Sequence, residues 1–290
     1  MWRGWFPVCA LVAVVAVQLH ADDSPVRELN HDLQGKIFLV RNFYRGDRLR
    51  YNAAGEILGN PPTGSWTVDG AVEISKINLA HNHLQIRTKR RFLGSSPDGY
   101  ELVRSERGLT MEIDVDGQPI TVDSLHSLMH HLFLTSQDRA ADFVPAFWKP
   151  CFGAQTTGST ACRISPRLAP LFRFAAPLQV ASAPAADKQA NDNHAIFGVG
   201  KGVSPPHAIH APDPEYSVEA RKEGVEGMVI IGLVVDKFGQ PTDVKIVSPV
   251  GYGLDENAIK SVRTWKFEPA RKGGEPMPVY ATVEVAFHLR

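Results

Sequence analysis

Val279-Tyr280-Ala281-Thr282-Val283-Glu284-Val285-Ala286-Phe287-His288-Leu289 is an unbroken alternation near the end of the chain. Val279, Ala281, Val283, Val285, Phe287 and Leu289 fall on one face. Tyr280, Thr282, Glu284, Ala286, His288 and Arg290 fall on the other. A period of two residues is that of a β-strand with one face buried and one wet, since successive side chains point to opposite sides. Such a strand at a sheet edge leaves backbone N–H and C=O groups free to pair with an extended polypeptide, with side-chain pockets adding choice. The pattern serves equally well a terminal strand that only completes a core. Val279, Tyr280, Ala281, Thr282, Val283, Glu284 and Val285 are therefore candidate partner-binding residues.

Upstream of this strand, Leu254, Ala258, Val262 and Trp265 recur at spacings of four, four and three. They make one apolar stripe on a helix, and Pro269 limits its extent. Gly227 to Asp236 is apolar on both faces, as a covered central strand requires. The turn Asp236-Lys237-Phe238-Gly239-Gln240 then reverses the chain into a second strand over Val244, Ile246 and Ser248, which Pro249 ends. Asp213 before Pro214 predicts a helix start, with a side-chain acceptor at the N-cap and a ring that fixes φ at the first helical position. Gly224 predicts its end.

In order and motif, residues 212–289 resemble the C-terminal domain of the TonB family. The resemblance rests on Pro214-Glu215-Tyr216, Gly224-Val225-Glu226-Gly227, Val234-Val235-Asp236 with Gly239, and Asp243-Val244-Lys245-Ile246-Val247. The helix running to Trp265-Lys266-Phe267-Glu268-Pro269 and the alternating last strand complete it. It implies an antiparallel sheet packed on two helices. It also implies contact with outer-membrane transporters through the last strand and the Asp213, Pro214, Glu215 and Tyr216 neighbourhood. The chain departs from the family at Ser217, where a proline usually follows the tyrosine. It departs again at its N-terminal apolar segment, which is shorter than a transducer's anchor and lacks the polar residues that couple to a motor.

Residues 24–152 read as a separate β-rich unit. Strands are expected over Lys36–Tyr44, Arg48–Tyr51, Ser65–Val68, Val72–Leu79, Leu84–Phe92, Tyr100–Arg104 and Leu109–Val115. Asn52 to Gly55, Asp69-Gly70, Asp98-Gly99 and Asp116-Gly117 supply turns that tolerate positive φ. An amphipathic helix follows over Ile120–Thr135. The expectation is an α+β protein: an N-terminal antiparallel sheet or small barrel with one helix, then a C-terminal β/α domain over 205–290. Residues 153–204, rich in Pro, Ala and Gly, read as a linker, with Ala181–Pro206 extended or mobile.

Residues 1–21 read as an export signal. Arg3 precedes the apolar run Trp5–Val17, and Ala21 offers a cleavage point, which places the mature protein in the periplasm. Retained as an anchor, the segment would tie the chain to the inner membrane. Cys151 and Cys162 would then meet an oxidising compartment, where a disulfide worth about 3 kcal/mol and a pair of free buried thiols are the two readings.

Lys plus Arg and Asp plus Glu are 31 each, and residues 24–150 carry 15 of each sign. A nucleic-acid partner is not expected of a chain without a basic excess. The one compact basic run, Lys89-Arg90-Arg91, reads as a solvated strand end. His126 and His130 have the one-turn spacing of two metal ligands, but no third ligand is assignable, so a surface or packing role is expected and no metal or cofactor. Asp114 and Asp116 precede a Gly turn and read as solvated. No nucleophile motif or phosphate loop occurs, so no catalytic residue is assigned. Three functions follow in order: a TonB-like protein engaging outer-membrane transporters for energy-coupled transport; a soluble periplasmic adaptor using the same domain; and an enzyme within 24–152.

Overall fold

The computed structural model describes residues 24–80, 83–96, 99–115, 117, 119–135, 138–152 and 202–289. Residues 1–21, read as an export signal, and residues 153–201 with Cys162 lie outside these, as does the side chain of Cys151, so the disulfide reading does too. The protein is α+β.

The N-terminal elements are α1 (Ser24–Leu33), β1 (Ile37–Leu39), β2 (Arg48–Tyr51), α2 (Trp66–Asp69), β3 (Ala71–Ala80), β4 (His83–Ser96), β5 (Gly99–Asp114), α3 (Val122–Leu132), α4 (Ala140–Phe143) and a 3-10 helix over Ala146–Phe152. The five strands form one open sheet in the order β1-β3-β4-β5-β2, not a barrel. It is antiparallel except at β2, which lies parallel to β5 with Arg48 opposite Thr110. Helices α1 and α3 cover one face. Val26, Leu29, Leu125, Leu128 and Met129 close there on Val72, Ile74, Ile86 and Met111. Each such side chain removed from water stabilises by roughly 1.5–3 kcal/mol. Thr121 starts α3 with a capping box, accepting from the Ser124 N–H while Ser124 accepts from its own.

Four readings of this half change. The expected strand Ser65–Val68 is the short helix α2, in which all four residues are buried. Alternation over four residues does not separate strand from helix, and here Thr67 and Asp69 have buried partners that the helical turn reaches. Lys36–Tyr44 contributes only Ile37–Leu39 as strand. The segments expected at 100–104 and 109–115 are one strand, β5, interrupted where the register to β4 slips between Arg91↔Arg104 and Lys89↔Gly108. Finally, the basic run is not a solvated end. Arg90 is 0% exposed and Arg91 7%. Arg90 Nη1 lies 2.9 Å from Asp69 Oδ1, and the guanidinium donates to the carbonyls of Asp69, Tyr44 and Gly46. Arg91 pairs with Glu73. Buried charge demands partners of this kind, and Asp69 and Glu73 lie too far back in sequence for a charge run to signal them.

The C-terminal elements are β6 (His207–His210), α5 (Val218–Glu223), β7 (Gly227–Val235), β8 (Pro241–Ser248), α6 (Leu254–Val262), β9 (Lys266–Glu268), β10 (Arg271–Lys272), β11 (Glu275–Pro276) and β12 (Val279–Phe287). The principal sheet is β12-β7-β8, with β6-β9 and β10-β11 as small pairs. The expected apolar stripe is in place: Leu254, Ala258 and Val262 are fully buried on α6, with Trp265 beyond it. In the hairpin, Asp236 accepts from the N–H groups of Phe238 and Gln240. Gly239 turns at φ +77, where an added Cβ would lie 1.9 Å from the Phe267 carbonyl oxygen.

Two boundaries are corrected. The first helix does not begin at Asp213-Pro214. Its N-cap is Ser217, whose hydroxyl accepts from the Ala220 N–H at 3.0 Å, while Gly224 closes it in the left-handed region as expected. The linker, expected over 153–204, also ends sooner. Val203 is buried and bridges Lys272, and the Ser204 N–H donates to the Arg271 carbonyl.

Candidate functional site

Strand β12 is an edge strand. It pairs with β7 over nine consecutive positions, from Val279↔Val235 to Phe287↔Gly227, without a shift in register, and among the described residues no strand pairs with its other side. The expected alternation holds. Val279, Val285 and Phe287 are buried and Ala281 and Val283 half-buried, while Tyr280, Thr282, Glu284 and Ala286 are exposed. Tyr280 is 53% exposed on a face that also presents Met228 at 45%.

The second group of candidate residues divides. Tyr216 reaches the end of β12, its ring 5.6 Å from that of Phe287 and at right angles to it. Its hydroxyl donates to the Val225 carbonyl, and Arg221 lies over its ring at 5.6 Å. Burial pushes its phenol above the usual range, with Glu226 adding to the effect and Arg221 opposing it. Asp213, Pro214 and Glu215 instead lie outside any helix or strand and are tied to α6. The Pro212 carbonyl accepts from Ser261 Oγ at 2.6 Å and from the Trp265 indole at 3.2 Å. The Glu215 carbonyl accepts from Asn257 Nδ2 at 2.9 Å. These bonds hold the segment against α6, and the first helix begins only after it, at Ser217. The structure therefore joins Tyr216 to β12 and ties Asp213 to Glu215 to the helix beneath the sheet.

Sequence reading missed a clasp between the two halves of the chain. Strand β4 runs past the end of β3, and the edge thus freed is filled by residues 250–252. Gly94 and Gly251 form an antiparallel bridge, with Ser95 N–H donating to the Val250 carbonyl and Tyr252 N–H to that of Leu93, both at 3.0 Å. Thr67, 0% exposed, supplies the polar centre. Its N–H and hydroxyl donate to the Glu256 carboxylate at 3.1 and 2.8 Å, and its Oγ1 accepts from the Gly253 N–H at 2.8 Å. Beside it Asp255 accepts from the N–H groups of Val250 and Gly251. Burial drives the Asp255 carboxyl well above the usual carboxylate range and raises that of Glu256. Tyr100 donates to the Pro249 carbonyl, and Arg107 pairs with Glu219. Thr67 and Glu256 are 189 positions apart, a distance at which no local pattern links them.

His126 and His130 are exposed on α3 beside a groove of about 560 Å³ against α1, floored by Leu29, Phe38 and Met129. Among the described residues, no group of three or more His, Cys, Asp or Glu side chains could hold a metal ion. No helix among them is long and apolar enough to cross a membrane.

Residues 212–289 match the family described as Gram-negative bacterial TonB protein C-terminal. The chain is 33% identical over 82 residues to Protein tonB2 of Pseudomonas aeruginosa, covering 28% of this chain and 30% of that protein. It is 30% identical over 115 residues to Protein TonB of Vibrio cholerae, covering 39% and 45%. The match thus spans less than half the length of either relative. Among solved structures, the solution NMR structure of the Pseudomonas aeruginosa TonB C-terminal domain is 19% identical, covering 32% of this chain and 93% of that one with a TM-score of 0.25. Residues 212–289 of this chain are a domain of the TonB C-terminal family.

Proposed function

We propose that this chain is a periplasmic, TonB-like binding protein, and not an enzyme. Its C-terminal domain takes an extended segment of an outer-membrane transporter along the open edge of β12 and serves energy-coupled transport. The observation that carries this reading is β12 itself, a regular nine-residue edge strand with a wet face and a free row of backbone groups. The domain's family and the two TonB relatives support it. In this reading the recognition domain runs from Val203 to 290, 24–152 is a folded companion, and the stretch from 153 to 202 connects them. Tyr280 to Val285 line the bound strand, and Tyr216 braces its far end through Phe287.

The test is site-specific cross-linking in cells of the full chain carrying Thr282→Cys or Glu284→Cys, both exposed positions, labelled with a short photo-reactive group. Thr264→Cys, exposed beyond α6, is the control. Adducts to an outer-membrane β-barrel protein from positions 282 and 284, and not from 264, are expected. Adducts only to a soluble protein would transfer the chain to an adaptor role. The intact mass of the protein in each cell fraction reports whether residues 1–21 are removed.

A further inference from the structure

The sheet β12-β7-β8 has two edges, and they are built differently. Along β12 the nine pairs are regular and the strand carries neither Pro nor Gly. Along β8 the register to β7 shifts twice, between Ile230 and Ile231 and between Gly232 and Val234. Asp243 adopts φ +46 within it, and an Asp243–Lys245 ion pair at 2.6 Å stands on its exposed side. Bulges and charges are the features that blunt a strand edge against pairing. The 3-10 helix Ala146–Phe152 of the N-terminal half runs against this same strand. Trp148, 1% exposed, and Phe147 enter the core that holds Ile246 and Val244, and Arg263 from the end of α6 sits over the Phe147 ring at 5.9 Å. Just past β8, residues 250–252 are already paired to β4.

We propose that the N-terminal half is a strand-edge cap: it covers the β8 side of the C-terminal sheet and leaves β12 as the single edge through which this chain accepts an extended segment. The cap stands on the contacts of β8 alone, whereas the use of β12 rests on the reading given above. A protein built this way takes up one strand per molecule, and its sheet cannot grow from both sides.

Amide hydrogen exchange on the full chain separates the two claims. The outward amides of Val244 to Val247, together with those of Ser95 and Tyr252, are expected to exchange at least about tenfold more slowly than the outward amides of β12, since a covered edge opens only with its cover. Phe147→Ser is expected to raise exchange at 244–247 about tenfold while leaving β12 unchanged. Arg263→Ser, which touches only an exposed guanidinium, should raise it about threefold, the scale of one exposed cation–π contact. Equal exchange at the two edges in the unmodified protein would overturn the cap, as would a Phe147→Ser protein that folds and leaves 244–247 unchanged. Slow exchange at β8 with no cross-link from Thr282 would keep the cap and overturn the partner reading of β12.

Discussion

Gly94 and Gly251 face each other across the bridge that joins the two halves of the chain, and neither position has room for a methyl group. A Cβ on Gly251 would lie 2.1 Å from the Leu93 carbonyl oxygen, and one on Gly94 2.6 Å from the Tyr252 ring. Gly251 also sits at φ +96, where an L side chain is strained. Gly251→Ala should therefore destabilise by about 2–4 kcal/mol, combining backbone strain with a clash against main chain that cannot step aside. Urea unfolding measures it, and a loss under about 0.5 kcal/mol, the scale of a neutral surface change, would contradict the close approach.

Arg90 and Asp69 form a buried ion pair in which each is the other's main counter-charge. Removing the guanidinium by Arg90→Ala leaves Asp69 buried without its main counter-charge and strips three carbonyls of a donor. The expected cost is about 3–5 kcal/mol. Arg87→Ala, at an exposed position of the same strand, should cost no more than about 0.5 kcal/mol. The contrast between the two denaturant midpoints is the measurement.

Asp255 gives a pH dependence of definite sign. Its carboxyl is raised in the folded state because burial penalises the charged form, with Glu256 adding to the effect. The folded protein therefore holds this proton where the unfolded chain has released it. The stabilisation is complete below the ordinary aspartate value of about 3.9 and is lost as pH rises toward the elevated folded value. Asp255→Asn carries no such proton. The stability difference, wild type minus variant, should fall as pH increases from about 4. Unfolding of both proteins across that range checks it, and a difference that grows with pH would refute the assignment.

Tyr216 acts on β12 from its end. Tyr216→Phe loses the bond to the Val225 carbonyl and should cost about 1 kcal/mol. Tyr216→Ala also removes the ring set against Phe287 and should cost roughly 2–3 kcal/mol, with faster amide exchange at Val285 to Phe287 before any change at β3 or β4. Equal costs for the two variants would show that the ring contact contributes nothing.

The legibility of this protein in its sequence follows the reach of each interaction. The β7–β8 hairpin, α6 and β12 were readable because their periodicity records a local choice of face, and Gly224 and Gly239 mark turns by their own backbone freedom. The start of α5 is not legible locally, because Pro212 and Glu215 are held by Asn257, Ser261 and Trp265, residues 42 to 53 positions away. Arg90 and Arg91 read as surface charge because their counter-charges, Asp69 and Glu73, sit on α2 and β3. Whether β12 lies at an edge is a matter of sheet order, which alternation does not encode. The contact of Thr67 with Glu256 crosses most of the chain and leaves no trace in either neighbourhood.

The bridge at Gly94 and Gly251 also gives the molecule a mechanical path. A polypeptide zipped along β12 and pulled along its own axis would load its bonds in shear, all at once, and β12 would hand that load to β7 through nine matched pairs. From β7 it passes to β8, along the chain to residues 250–252, and across the bridge into β4 and the five-stranded sheet. Tension entering at one end of the C-terminal sheet is thus carried into the N-terminal half by continuous main chain and hydrogen bonds, and the two halves bear it as a single ribbon.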